Sequence, residues 1–416
     1  METERRRTTE VRIPLIDMKR KLNGLQQSHI VTSLPNLSVE HPVYHQVNSL
    51  VYTPTTCDIY MYIFAQLQDI DIEATLRYLK AAQNEATPDP ALLRPVTGTL
   101  QWSSTSPSVR AELNDLGMHA IRQDQVAVII LSGGQGTRLG YSGPKGMYNI
   151  GLLSQKSIFQ LHIEKLSRIR VLAAELSGHR GPLPRLPVYI MTSESNNSII
   201  REYFEENHFF QYPPEDVFFF EQGLLPCLTS DGKMILEAES SLALAPDGNG
   251  GVFPALQKSG AFQNMINRGV RHVHLYGIDN VLTKAADPAF IGYCIKHNCE
   301  VANKVVARAN AAEKVGVSAT RNGRLCIVEY SELPQSMTGL DSHGRLIYSA
   351  ANICNHYFHI NFLQEKVFSG ANCLYHIAHK KIPYYDPASK KTVTPDANNG
   401  IKLEMFVFDV FPLAER

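Results

Sequence analysis

The run VAVIILSGGQGTRLG, residues 126–140, restricts the fold more than any other part of the chain. Six apolar residues in succession fit a strand buried on both faces, as in parallel sheets covered by helices on each side. Gly133, Gly134, Gly136 and Gly140 follow at once. Glycines here let backbone N–H groups approach an anion closely, and open parallel sheets bind ligands at the carboxyl ends of their strands. The same loop carries Arg138, a planar bidentate donor, and leads into Lys145, a compact charge stiffened by Pro144.

Similar apolar runs recur downstream. PVYIMTS at 187–193, VFFFEQ at 217–222 and HVHLYGIDN at 272–280 read as strands. Between them stand segments of helical period at 154–176, 198–208, 251–270 and 288–297. Pro254 falls in the first turn of the third, where a helix tolerates it. The alternation predicts an α/β fold with a doubly wound, mainly parallel, Rossmann-like sheet. Strands dominate after Glu300, at 300–309, 324–332 and 344–358, and a long helix is expected at 361–380.

The amino-terminal part differs. Residues 1–55 show no sustained apolar period and are expected to be poorly ordered. Residues 56–115 read as a helical region, with Leu67, Ile70, Ile72, Leu76 and Leu79 near helical spacing and a Pro-rich connector at 86–98. The catalytic domain is expected at 116–410, with a short tail at 411–416.

Charge narrows the function. Forty basic residues balance forty acidic ones in 416, which argues against a broad nucleic-acid or membrane footprint. Arg5, Arg6 and Arg7 read as a solvated terminus, and no apolar run after them suggests a secretory signal. No stretch approaches the roughly 20 apolar residues that span a bilayer. The seven cysteines are scattered without a CxxC pair, which suggests neither a disulfide framework nor a zinc site and fits a reducing cytoplasm. The sequons at Asn36 and Asn196 then read as chance matches.

Several readings of the glycine loop compete. The GxxxxGK[ST] pattern of P-loops is absent. Gly134-x-Gly136-x-x-x-Gly140 is a loose match to dinucleotide fingerprints, which approach pyrophosphate through backbone and seldom need an arginine and a lysine. Glu194 is the only acidic candidate near the end of the second strand, a weak basis for an oxidoreductase. A plain glycine turn with incidental charges is the bland alternative. A nucleotidyltransferase explains the cations best, because charge builds on the transferred and leaving groups when pyrophosphate is displaced from a triphosphate.

The blocks GGQGTRLG with PKGMYNIGL, then LAPDGNGGVFPAL, VHLYGIDN, VEYSE, ANICNHYF and ANNGIKLEMFVFDVF resemble the eukaryotic UDP-N-acetylhexosamine pyrophosphorylases. They run in family order from about Gln125 to Asp409. The resemblance implies that UTP and N-acetylglucosamine 1-phosphate, or its galacto epimer, give the UDP-sugar and pyrophosphate. It implies Mg²⁺, with Mn²⁺ as a substitute, and Asp279 as the metal ligand. Gly133 and Gly134 would meet the nucleotide and Gln222 the uracil. Gly248 and Asn249 would touch uridine and sugar. Gly316, Glu329, Tyr330 and Asn352 would line the sugar side. Arg138, Lys145 and Lys402 would neutralise phosphates. Read without the resemblance, Asp279 suits Mg²⁺ or a turn, Pro246–Gly251 is a turn, Gln222 ends a strand, and Lys402 is a solvated charge.

The chain departs from the family pattern at Ser132, in the spacer Tyr141–Gly143, at Lys314 and at Ala351, and none of these removes a charged group. Family members continue past FVFDVF into a β-rich domain that carries another phosphate-contacting lysine and takes part in self-association. Its expected absence leaves self-association open. It also sets a weakly active or inactive sugar-nucleotide-binding protein beside the active enzyme as an alternative.

Overall fold

The computed structural model describes residues 15–31, 63, 65–84, 89–176, 181–330, 332–370 and 374–416. Arg5, Arg6, Arg7, the Asn36 sequon, Cys57 and Cys373 lie outside them. The chain divides into two compact units. The first comprises Met1–Glu85, Leu224–Gly248 and Leu374–Met405, and the second Ala86–Gly223, Asn249–Cys373 and Phe406–Arg416.

The second unit is built on a nine-stranded sheet. Its strands are β1 Leu93–Pro95, β2 Val126–Leu131, β3 Val188–Thr192, β4 Val217–Glu221 and β5 His272–Gly277. They continue with β6 Val301–Ala307, β7 Val317–Arg321, β8 Arg324–Val328 and β9 Ala350–His359. The spatial order is β1-β7-β9-β5-β2-β3-β4, with β6 also paired to β9 and β8 to β7. At its centre β5, β2, β3 and β4 run parallel, as the apolar runs predict. Beside them β9 is antiparallel to β5, pairing Asn355 with Tyr276.

The helices of this unit are α1 Pro107–Arg122, α2 Ile158–Glu175, α3 Asn197–Glu206, α4 Val252–Lys258, α5 Ala261–Asn267 and α6 Pro288–Lys296. Alternation along β2 shows the double winding. Ala127, Ile129 and Leu131 pack with α4, α5 and the segment 407–414. Val126, Val128 and Ile130 pack with residues of α1, α2, α3 and α6. Side chains of successive strand residues point to opposite faces, so a strand covered on both sides is apolar throughout. The helices α1 and α6 meet backbone to backbone: a Cβ on Gly292 would lie 1.8 Å from the Leu113 carbonyl oxygen. Only glycine permits that approach.

The expected helix at 251–270 is two helices, α4 and α5, broken where Gly260 takes a left-handed conformation (φ 76°). The long helix expected at 361–380 is not formed. A short turn Ile360–Phe362 passes into one wide π-turn, Leu363–Val367. His376–Lys380 is a strand paired with Gly400–Glu404, with Ala378 opposite Lys402. Pairing with a segment over twenty residues away overrode the local helical period.

The first unit joins the helices Leu15–Gly24 and Ile72–Asn84 to four short strand pairs or their partners from the later segments. Met18, Leu22, Ile72 and Leu79 share its core with Leu228 and Leu403. The helix Leu15–Gly24 corrects the expectation of an irregular stretch at 1–55, whose other residues outside 15–31 are not described. Its apolar residues Leu15, Met18 and Leu22 keep helical spacing, but over only two turns, too short a run to count as a sustained period. Gln27 fixes the turn after it, donating to Gly232 O and accepting from Met234 N, both at 2.8 Å. Among the described residues no helix is long and apolar enough to cross a membrane.

Candidate active site

The chain leaves β2 and runs outward through β3 to β4, then returns to place β5 on the other side of β2. The carboxyl ends of β2 and β5 therefore flank a topological switch point, where open α/β sheets bind their ligands. Leu131 and Gly277, the last residues of the two strands, stand opposite each other in register. The glycine loop leaves one and Asp279 follows the other.

The loop is organised around its own backbone. Gly136 N donates to Gly143 O at 2.9 Å and Lys145 N to Gly134 O at 3.3 Å. The Tyr141 ring covers both Gly136 and Gly143, where Cβ atoms would lie 2.9 and 2.8 Å from it. Tyr141 belongs to the departing spacer, and here it is the packing element of the loop. Arg138 lies in the single 3₁₀ turn Thr137–Leu139. Lys145 opens the next, with its chain beside Gly134. Its Nζ donates to Asp279 Oδ2 at 2.8 Å. The lysine side chain is 25% exposed and the carboxylate 54%. An ion pair this open contributes at most about 1 kcal/mol to folding, so exchanging it for ligand contacts costs the fold little.

Gln222 follows β4, its N–H donating to Thr192 O at 2.9 Å. A Cβ on Gly133 would lie 2.6 Å from Gln222 Oε1. The amide and the loop backbone thus stand side by side, a donor and acceptor set of the kind a pyrimidine edge needs.

The antiparallel β9 begins at the end where β5 finishes, and it brings a second group of residues to this edge. Asn352 N donates to Gly316 O at 2.8 Å. The Gly316 Cβ position lies 3.1 Å from Glu329 Oε1. Asn352 Oδ1 accepts from Cys354 N at 3.2 Å. Burial, with the Asp279 and Glu329 carboxylates nearby, pushes the Cys354 thiol up to about 12, so it stays protonated between them. Tyr330 follows Glu329 and is 52% exposed.

The remaining expected residues belong to other segments. Asn249 opens a 3₁₀ turn before α4, and its Oδ1 accepts from Val407 N at 2.9 Å. Gly248 and Lys402 belong to the first unit, with Lys402 in the strand Gly400–Glu404.

Three residues at this edge were not expected from sequence to serve the site. Asn196 is fully buried; its Oδ1 accepts from Ser193 N at 2.8 Å and its Nδ2 donates to Gly133 O at 3.1 Å. It clamps the glycine loop to the end of β3. Its position before α3 is an N-cap signal, yet it makes no cap hydrogen bond. His162 Nε2 donates to Ile278 O at 3.1 Å. Burial, helped by nearby Lys165, pushes this imidazole down to about 4, which keeps it neutral. Lys165 donates to Val281 O and to Thr283 O, the latter at 3.1 Å. Both side chains come from α2 and hold the segment that carries Asp279. In sequence His162 shows only as a half-apolar position on a helical face.

Comparison with known proteins agrees with this geometry. A family model described as UTP–glucose-1-phosphate uridylyltransferase matches residues 96–410. The chain is 44% identical over 299 residues to the UDP-N-acetylglucosamine pyrophosphorylase of Saccharomyces cerevisiae, covering 71% of this chain and 61% of that protein. It is 40% identical over 365 residues to UDP-N-acetylglucosamine diphosphorylase 1 of Arabidopsis thaliana, covering 85% and 70%. The crystal structure of the Trypanosoma brucei uridine diphosphate N-acetylglucosamine pyrophosphorylase superposes with a TM-score of 0.73 at 30% identity, covering 96% of this chain and 75% of that one. Several curated relatives are longer, the chain spanning 61% to 63% of their length. A glycine loop at a topological switch point, a family model over most of the chain and relatives from yeast and plant agree: the chain belongs to the uridylyltransferase family, among the UDP-N-acetylhexosamine pyrophosphorylases.

Proposed function

We propose that the chain is a uridylyltransferase. It would join UTP to an N-acetylhexosamine 1-phosphate, N-acetylglucosamine 1-phosphate first and its galacto epimer second, and release pyrophosphate. The observation that carries this is the Lys145–Asp279 pair, 2.8 Å apart at adjoining strand ends beside Gly134. One cation and one hard carboxylate stand where a triphosphate and its metal would both find a partner. The free state of all five described cysteines suits a reducing cytoplasm.

The donor set fits Mg²⁺ brought in with the nucleotide. No group of three or more metal-ligating residues occurs among the described residues. Mg²⁺ keeps several waters and takes one or two carboxylates plus substrate phosphates, so Asp279 alone suffices from the protein. When bound, the ion would offset charge on the phosphate oxygens. In the reaction, an ionised oxygen of the sugar phosphate forms a bond to the α-phosphorus of UTP. The bond from that phosphorus to the bridging oxygen breaks, and its electron pair leaves on pyrophosphate. The attacking phosphate is already ionised at neutral pH, so no side-chain nucleophile is required. Lys145, and Arg138 by its charge, would let two anions approach. Gly133, Gly134 and Gln222 would take the uridine, with Gly316, Glu329, Tyr330 and Asn352 facing the sugar. Asn249 would offer its amide nitrogen to the ligand, while its oxygen accepts from Val407 N. The resemblance assigns Gly248 to the sugar nucleotide and Lys402 to phosphate, and the steps above do not depend on either.

Pyrophosphate release measured with UTP or ATP against several hexose 1-phosphates tests this. UTP with N-acetylglucosamine 1-phosphate should be the fastest pair. Equal rates with ATP would overturn the role given to Gln222, and no release with any pair would overturn the proposal.

A further inference from the structure

A groove of about 830 Å³ opens between α1, α2 and the segment 281–289, wholly within the second unit. That volume lies in the range of small-molecule sites. Its wall is apolar where Met118, Ile169, Leu172 and Val281 meet. Trp102 and Leu282 add to it and remain 43% and 88% exposed. Trp102 is held in place: the Arg110 guanidinium lies 5.1 Å above its ring and donates to its carbonyl at 2.6 Å.

The charges lining the groove are unbalanced. Arg110, Lys165, Arg168 and Lys284 face one acid, Asp287. That acid is already engaged, capping Ala289 N at 3.2 Å and pairing with Lys304. Arg168 has only a loose, exposed partner in Glu175 at 3.6 Å. Thr283 lies among these groups, its carbonyl accepting from Lys165. It lines the groove and is 4% exposed, yet its buried Oγ1 has no hydrogen-bond partner. Leaving such a hydroxyl unpaired costs about 1–3 kcal/mol.

We propose that this groove binds a small amphipathic anion. Its flat apolar body would lie on Trp102, Ile169 and Leu172 and its acid group at Lys165 and Lys284. Lys165 also holds the Val281 and Thr283 carbonyls, so the anion would engage an amine that supports the segment following Asp279. The site does not rest on the transferase reaction.

Trp102 is the only tryptophan of the chain, which makes it a local reporter. The probe is 8-anilinonaphthalene-1-sulfonate, an aromatic anion, titrated into the full chain. Saturable one-to-one quenching of Trp102 emission with energy transfer to the probe is expected. Lys284→Glu and Leu282→Asp should each weaken binding by about tenfold, as should replacing the probe with neutral N-phenyl-1-naphthylamine. Lys391→Glu, in the other unit, should leave binding unchanged. Absence of saturable transfer, or equal affinity of Lys284→Glu and wild type, would overturn the proposal. So would equal affinity for the neutral probe, or displacement by inorganic phosphate at the same concentration as by an aromatic carboxylate.

Discussion

Lys145 and Asp279 hold each other across 2.8 Å while the carboxylate stays more than half exposed. A pair so open adds little to stability, whereas one charge-assisted phosphate contact is typically worth about 1.5–3 kcal/mol. Lys145→Ala should therefore lower turnover by roughly ten- to a hundredfold and leave thermal unfolding nearly where it was. A collapse of the melting temperature with unchanged activity per folded molecule would make the lysine structural. Gly133 offers a finer test. Its Cβ would strike the Gln222 amide, the far end of a flexible side chain, at 2.6 Å. Gly133→Ala should displace that amide, so UTP affinity measured by calorimetry should fall while the unfolding midpoint stays close to wild type. These residues were legible in the sequence because their chemistry is local: glycines after an apolar run, a Pro-Lys, an Asp closing a strand. Tyr141 was read only as a departure from the family spacer, since its packing over Gly136 and Gly143 exists only once the loop has turned back on itself.

The elements carry what no short motif displays. Parallel strands showed plainly as continuous apolar runs, and β2 through β5 stand where those runs are. The switch point could be inferred only in kind, because strand order depends on which neighbour each strand pairs with. Asn196 shows the same limit: it has the residue type of a helix cap and instead ties the end of β3 to the glycine loop. Two substitutions separate its acceptor bond from its donor bonds. Asn196→Asp keeps an acceptor for Ser193 N but loses the donor to Gly133 O, and Asn196→Ala loses both. The Ala variant should be destabilised by about 1–3 kcal/mol in urea titrations, and the Asp variant by at least as much at neutral pH, because its buried carboxylate faces the Ser132 and Gly133 carbonyl oxygens. Both should bind UTP more weakly, since both release Gly133. Unchanged UTP affinity in the Asp variant would show that the clamp serves folding alone. The misread helix at 361–380 has the complementary cause. Its residues have a helical period, but the strand His376–Lys380 finds a partner at 400–404, a contact invisible to any local window.

Among the described residues, four buried histidines set an acid limit. Burial pushes His162, His272 and His274 down to about 4 and His356 to about 3. Their folded values lie below the ordinary imidazole value of 6.5, so the unfolded chain binds more protons between about pH 6.5 and 4. Their neutral forms support the fold fully above that window, and stability falls through it on acidification, by up to about 1.4 kcal/mol per pH unit for each group. Urea midpoints measured at pH 7, 6 and 5 should decline in that order; a flat profile would mean that these rings accept protons in place. Two discontinuous compact units are harder to read from a linear sequence, which draws boundaries along the chain and cannot follow a segment that leaves one unit and returns. In the proposed reaction Asp279 and Lys145 would exchange each other for metal and phosphate. Calorimetric titration of UTP, with and without Mg²⁺, on wild type and Asp279→Asn tests that exchange most directly. Wild type should bind UTP one-to-one and markedly tighter with Mg²⁺, and Asp279→Asn should lose that dependence while keeping its fold. Equal affinity with and without Mg²⁺, or an Asp279→Asn variant as Mg²⁺-dependent as wild type, would contradict it.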